Sequence, residues 1–238
     1  MIPEQKRISG AVGLDVGSTT AKIVILENDK VDYRITGTHN WKDLVGGIDN
    51  EKIISTGYFR NSVPHKASVT EITAAIYGVN HYFPDVDVIV DIGGQDTKVI
   101  DVKKNSFMIN DKCSAGTGAF LEFAASYFRI ELDELGPLHK KAQRIPDINN
   151  TCGVFAISEM ISQLVAGYSK EDVIAGMHYA FARRISFMIP EAETIVLIGG
   201  AAKNEGMVMA LRDILQKKIL IPREPQMVNA LGALKYYS

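Results

Sequence analysis

Short apolar runs of β type alternate along the chain with stretches whose apolar positions recur at helical spacing. Ser9–Gly17 predicts a strand ending in a polar, glycine-containing turn. Thr20–Glu27 and Lys30–Gly37 continue as strands, with Asn28-Asp29 as the turn between them. Lys52–Thr56 is a further short strand, and Ser68–Phe83 is apolar at helical spacing. Val86–Ile92 and Thr97–Val102 repeat the strand–turn–strand theme. Thr117–Phe128, Cys152–Ala166 and Ser169–Ile189 predict helices, and Ser169 stands before Asp172 at the spacing of a capping pair. Thr194–Ile198 predicts a buried strand that runs into Gly199-Gly200, followed by a helix from about Asn204 to Leu215. The tail from Val228 is helical in pattern. This alternation is that of an α/β fold, and no Pro/Gly/Ser-rich linker interrupts it.

Within this pattern one segment occurs twice. Asp15-Val-Gly-Ser-Thr-Thr-Ala-Lys22 aligns without gaps on Asp91-Ile-Gly-Gly-Gln-Asp-Thr-Lys98. Both copies follow an apolar strand and precede another. A duplicated hairpin with an acidic, glycine-containing tip points to two related subdomains facing a shared cleft. At the first tip, Gly17 lets a ligand approach the backbone, and Ser18, Thr19 and Thr20 offer donors. A phosphate suits these groups. Lys22 adds a cation, and Asp15 suits a Mg²⁺ held through water. A plain tight hairpin would use the same residue types. At the second tip, Gly93 and Gly94 expose backbone, while Gln95 and Asp96 supply side chains. Asp91 or Gln95 would position an attacking water in phosphoryl transfer.

Length and charge narrow the field. With 238 residues the chain is at the upper end of what one core organises. A net charge of -2 gives no electrostatic footprint for nucleic acid or an anionic membrane. No apolar run approaches the roughly 20 residues that cross a bilayer. The basic start Met1–Arg7 leads into an apolar stretch that soon meets Asp15, so no secretory signal is expected. The P-loop and the G-x-G-x-x-G fingerprint are both missing. Val196-Leu-Ile-Gly-Gly-Ala-Ala-Lys-Asn204 is either a backbone platform for adenine or ribose, or a simple β–α turn.

These three pieces, in this order, resemble the superfamily of actin, hexokinase-type sugar kinases and heat-shock-70 chaperones. The resemblance implies two ribonuclease H-like subdomains around a nucleotide cleft. It implies phosphate-binding roles for Asp15–Lys22 and Asp91–Asp96, and an adenosine role for Gly199, Gly200 and Ala201. The whole chain is then one domain. Subdomain I would take about residues 1–83 plus the C-terminal tail, and subdomain II about residues 84–225.

Two cysteines, Cys113 and Cys152, are too few for a disulfide framework or a closed four-ligand metal site in one chain. Each precedes a helical pattern, and a helix start lowers a thiol's pKa. Small cysteines also pack in cores. In a C₂ dimer two thiolates per subunit make four, a ligand set for a [4Fe–4S] cluster or, by count alone, for zinc. The flanks Asn110-Asp-Lys-Cys-Ser-Ala-Gly-Thr-Gly118 and Cys152-Gly-Val-Phe-Ala-Ile-Ser-Glu159, with Asp91-Ile-Gly-Gly-Gln-Asp-Thr-Lys98, resemble the activators (component A, the BadF/BadG/BcrA/BcrD group) of 2-hydroxyacyl-CoA dehydratases.

That resemblance implies a cytoplasmic homodimer with ATP or ADP and Mg²⁺ in each subunit and one shared [4Fe–4S] cluster on Cys113 and Cys152. It implies low-potential electron delivery, driven by ATP hydrolysis, to a dehydratase, a benzoyl-CoA reductase or a double-cubane-type enzyme. An upstream donor such as ferredoxin or flavodoxin would supply the electron. Gly118 and Gln226 would contact nucleotide. The chain departs from the group at Ala119, where relatives carry a base, and at Ile157, where they carry an acid. Glu159 is retained, and Thr38–Gly57 is short. The competing readings are a small-molecule kinase of N-acetyl-sugar type and a non-enzymatic nucleotide-gated regulator.

The remaining candidates are structural. His39, His65, His81, His139 and His178 lack metal-ligand spacing, and His81 and His178 are expected at packing or surface positions. Met207–Met209 is read as helix packing. Glu131–Glu134 followed by His139–Lys141 reads as a solvated helix with charges matched to its dipole.

Overall fold

The computed structural model describes residues 10–27, 30–149 and 153–237. The chain start through Ser9, the Asn28-Asp29 turn and Cys152 lie outside these residues. The chain forms two units, Met1–Asp85 with Pro222–Ser238, and Val86–Ile221. In chain order the elements are β1 (Val12–Val16), β2 (Thr20–Glu27), β3 (Lys30–Gly37), α1 (Trp41–Val45), β4 (Ile53–Thr56), β5 (Ala67–Ser68) and α2 (Glu71–Tyr82). The second unit holds β6 (Val88–Ile92), β7 (Thr97–Asp101), β8 (Ser106–Asn110), α3 (Gly118–Phe128), α4 (Leu135–His139), α5 (Gly153–Val165), α6 (Lys170–Ser186), β9 (Thr194–Ile198), α7 (Glu205–Leu215) and β10 (Lys218–Leu220). The chain then returns to the first unit with α8 (Val228–Tyr237).

Each unit contains a five-stranded sheet, in the order β3-β2-β1-β4-β5 in one and β8-β7-β6-β9-β10 in the other. The outer three strands of each form antiparallel hairpins, and the remaining two join in parallel. The duplication read from eight residues thus extends over a whole sheet. The central strands β1 and β6 are buried throughout, which explains their largely apolar sequences, each broken by one aspartate, Asp15 or Asp91. Along β1, side chains alternate between two faces. Val12, Leu14 and Val16 pack in a cluster with Leu44 of α1. Gly13 lies under α8, where a methyl group would stand 1.9 Å from the Ala230 carbonyl oxygen. Helices α2 and α8 meet as closely, since a methyl on Gly232 would come within 1.8 Å of the Ala74 oxygen.

Several elements differ from the sequence reading, and α1, β8 and β10 are additional to it. Helix α2 starts at Glu71, because the Thr70 hydroxyl caps it by accepting from the Thr73 N–H at 3.1 Å. Ser68 pairs instead with Ser55 as part of β5. The segment around Glu131–Lys141 is not a solvated helix. It is a 3₁₀ turn followed by the short α4, with Leu135 fully buried and His139 buried. The expected Ser169 cap of α6 is present with its reciprocal Asp172 bond.

His139 packs on His178 of α6, with their Nδ1 atoms 3.0 Å apart. One nitrogen must donate and the other accept. His178 Nε2 is buried without a partner. The proton therefore belongs on His178 Nδ1, which donates to His139 Nδ1 and leaves Nε2 as a bare lone pair. Burial, followed by the charge of His139, pushes the His178 pKa down to about 3. Burial also lowers His139, partly offset by Asp213. Unfolded histidine titrates near about 6.5. Below that pH the unfolded chain takes up protons that the folded chain refuses, so stability falls from about pH 6.5 down toward the folded value. The urea midpoint should drop between pH 7 and pH 5, and His178→Leu should flatten that drop. An equally steep fall in the variant would refute the assignment.

Candidate functional site

In the first unit the tip 17–20 caps the β1–β2 hairpin, whose register sets Asp15 opposite Lys22. Asp15 is 3% exposed, and the Lys22 ammonium meets its Oδ2 at 3.0 Å. A carboxylate buried at this depth requires such a partner. Within the tip, the Gly17 N–H donates to Thr20 O at 3.1 Å. Thr38 braces the tip through its hydroxyl to Gly17 O (2.7 Å) and its N–H to Thr19 O (3.1 Å). Ser18 and Thr20 are half-buried and Thr19 is exposed. Gly17 thus contributes close approach rather than a donor, and Lys22 already has a carboxylate.

The second tip has the same turn, with the Gly93 N–H donating to Asp96 O at 2.9 Å. Asp91 is 3% exposed and stands in register with Lys98. Here the lysine reaches Asp96 Oδ2 at 2.7 Å. Gln95 is exposed at the apex.

Each aspartate has a glycine over it that the repeat alone does not reveal. The parallel neighbours β4 and β9 end opposite Asp15 and Asp91, and the next residues are Gly57 and Gly199. Both adopt left-handed backbone, with φ of +94° and +87°. A methyl group on Gly57 would lie 2.4 Å from Asp15 Oδ1, and one on Gly199 would lie 2.8 Å from Asp91 Oδ1 and 2.3 Å from Ile92 O. Gly57 was missed because it follows its aspartate at a spacing unlike that of Gly199. After Gly199, Gly200–Lys203 make a 3₁₀ turn in which Gly200 is exposed and Ala201 buried. Asn204 then caps α7.

The second unit gathers several predicted residues in one place. The N–H groups of Gly118 and Ala119 donate to Gly93 O (2.8 Å) and Gly94 O (2.7 Å), so the start of α3 sits on the second tip. Gly199 closes the other side of Asp91. Gln226, in the first unit, is half-buried on the stretch leading into α8.

Cys113 is a free, half-exposed thiol. It is not at a helix start. Four residues separate it from Gly118, and the first N–H groups of α3 are already taken by Gly93 and Gly94. What holds Cys113 is a net of side chains on the loop carbonyls. Asn110 Nδ2 donates to Cys113 O (3.0 Å) and Ala115 O (2.9 Å). Thr117 donates to Ser114 O (2.8 Å) and Thr97 to Gly116 O. Behind this loop Ala115 and Gly116 line a small apolar pocket with Phe120, Asn149, Ala156, Ala180, Phe181 and Arg184. Glu159 accepts from the Asn149 N–H, and Ile157 is buried in the apolar core. Among the described residues no group of three His, Cys, Asp or Glu is placed to hold a metal. No described helix is long and apolar enough to cross a membrane.

The sequence profile of the BadF/BadG/BcrA/BcrD ATPase family matches residues 45–236. The 2-hydroxyisocaproyl-CoA dehydratase activator of Clostridioides difficile is 36% identical, over 94% of this chain and 93% of its own length. The (R)-2-hydroxyglutaryl-CoA dehydratase activating ATPase of Acidaminococcus fermentans is also 36% identical, over 94% of this chain and 95% of its own. A solved structure of the activator of the Clostridium difficile 2-hydroxyisocaproyl-CoA dehydratase with bound ADPNP superposes with a TM-score of 0.87. It is 34% identical and covers 95% of this chain and 93% of its own.

Gly199→Ala places a methyl against the Ile92 carbonyl and forces a left-handed backbone. It should lower stability by about 2 kcal/mol and cut ATP turnover at least about tenfold. Turnover equal to wild type would remove the Asp91–Gly199 contact from the site.

Proposed function

Because the chain belongs to the BadF/BadG/BcrA/BcrD ATPase family, we propose that it is an ATP-hydrolysing iron–sulfur protein. It delivers electrons to a 2-hydroxyacyl-CoA dehydratase or a related benzoyl-CoA reductase or double-cubane enzyme. Gly17, Ser18, Thr19, Thr20 and Lys22, with Gly93, Gly94 and Asp96, receive the phosphates. Asp15 holds Mg²⁺ through water, and Asp91 or Gln95 orients the attacking water. Gly199, Gly200 and Ala201 back the adenosine, and Gly118 and Gln226 complete the nucleotide contacts. Supporting this reading, Asp15 and Asp91 both stand at the carboxyl ends of central strands, where open α/β sheets take their ligands.

The observation that carries the redox half is Cys113 on a loop whose carbonyls are braced by Asn110, Thr97 and Thr117. Thiolates are the ligands a [4Fe–4S] cluster takes, and Cys113 is a free thiol that water can reach. Cys113 and Cys152 from each chain of a homodimer would hold it. When bound, the cluster supplies a one-electron carrier of low potential. Asn110 and Thr117 set the Cys113 loop, and Glu159 sets the backbone before Cys152. A reduced ferredoxin or flavodoxin is the donor class. The compartment is the cytoplasm, where thiols stay reduced.

The test is anaerobic purification with iron and sulfide analysis and low-temperature EPR. About four irons per two chains are expected, and Cys113→Ser should lose them. An iron-free protein with full ATPase activity would sink the redox reading.

A further inference from the structure

Thr97 follows Asp96 on β7 and is fully buried, yet it belongs to neither the phosphate tip nor the cysteine loop. Its hydroxyl donates to Gly116 O, so it ties one to the other. Beside it, the main-chain bonds from Gly118 to Gly93 O and from Ala119 to Gly94 O fasten α3 to the same tip. On the loop, Asn110 and Thr117 hold the three preceding carbonyls, those of Cys113, Ser114 and Ala115. From Gly93 to Cys113 the chain of hydrogen bonds and peptide links is continuous. Contiguous hydrogen-bonded networks carry coupling between sites where they have two discrete arrangements. The link lies wholly inside one unit.

We propose that Thr97 is a positioning residue that passes the nucleotide state of the second tip to the Cys113 loop. This rests on the reading of Gly93–Asp96 as a phosphate tip, and it does not require that the cluster be present. Phosphates seated at Gly93 and Gly94 displace or stiffen the hairpin end. Thr97 moves with that end and carries Gly116 with it, and the loop follows because its carbonyls are bound. The setting of the Cys113 thiol then differs between the nucleotide-bound and nucleotide-free states.

Hydrogen–deuterium exchange of the amides of residues 111–116 reads this directly in the protein as isolated under anaerobic conditions. Samples are compared without nucleotide, with Mg-ADP and with a non-hydrolysable ATP analogue. Wild type and Thr97→Ser, which keeps the hydroxyl, should show a nucleotide-dependent change in exchange. Thr97→Val keeps the shape and loses the donor. It should lose that change while ATP turnover stays within about twofold of wild type. Should the valine variant fail to fold, Thr97→Ala serves the same comparison. A Val variant that responds like wild type would overturn the proposal. So would a Ser variant that does not respond, a wild type with no response, or loss of nucleotide binding in the Val variant. Iron analysis of the same samples separates the two readings. An iron-free protein whose response depends on Thr97 retains the coupling and rejects electron transfer.

Discussion

Burying a carboxylate at the end of a central strand imposes conditions on everything around it, and both units of this protein meet them. An unpaired ion taken out of water costs several kcal/mol. Asp15 is therefore met by Lys22 across the hairpin at 3.0 Å. This fixes register, since a slip of one residue would turn Lys22 toward the apolar cluster of Leu14, Ile23 and Leu44. The parallel neighbour must then end beside the carboxylate without a side chain, which Gly57 and Gly199 do in left-handed backbone. The hairpin tip, the acid and the glycine are one arrangement built twice. The second copy adds a carboxylate at the tip, because Asp96 stands where the first copy has Thr20 and meets Lys98 at 2.7 Å.

Longer elements with a β-type run or a helical period were legible in the sequence, and short or edge elements mostly were not. Strand β8 is Ser-Phe-Met-Ile-Asn on a sheet edge, exposed on four of its five residues, so it has neither alternation nor a continuous buried run. Strand β10 is three residues long. Helix α4 looked solvated because charges flank it, while its short apolar part packs inward with His139. The eight-residue repeat was visible because both copies use the same ungapped hairpin. Gly57 stayed hidden because the insertions between the acid and its glycine differ in the two halves. The net on the Cys113 loop was illegible because Asn110, Thr97 and Thr117 bond carbonyls, and a carbonyl has no signature in sequence.

The family departures also acquire a physical setting. Ile157 is one of the buried residues of the second core, so this position serves packing in this chain. Ala119 gives its N–H to Gly94 O, a bond that any residue but proline could make. Glu159, which is retained, secures the Asn149 backbone. The helix-start argument for cysteine reactivity does not transfer to Cys113, whose surroundings are a braced loop.

The first unit is assembled from two stretches that flank the second along the chain. Helix α8 lies on β1 so closely that Gly13 can carry no side chain, and it crosses α2 at Gly232. During synthesis the ribosome releases this helix only after all of Val86–Ile221. The second unit thus has its full complement of strands while the first still shows a bare apolar sheet face around Val24 and Ile54. A nascent chain held in that state exposes the surface chaperones bind, for as long as translation of the inserted half takes.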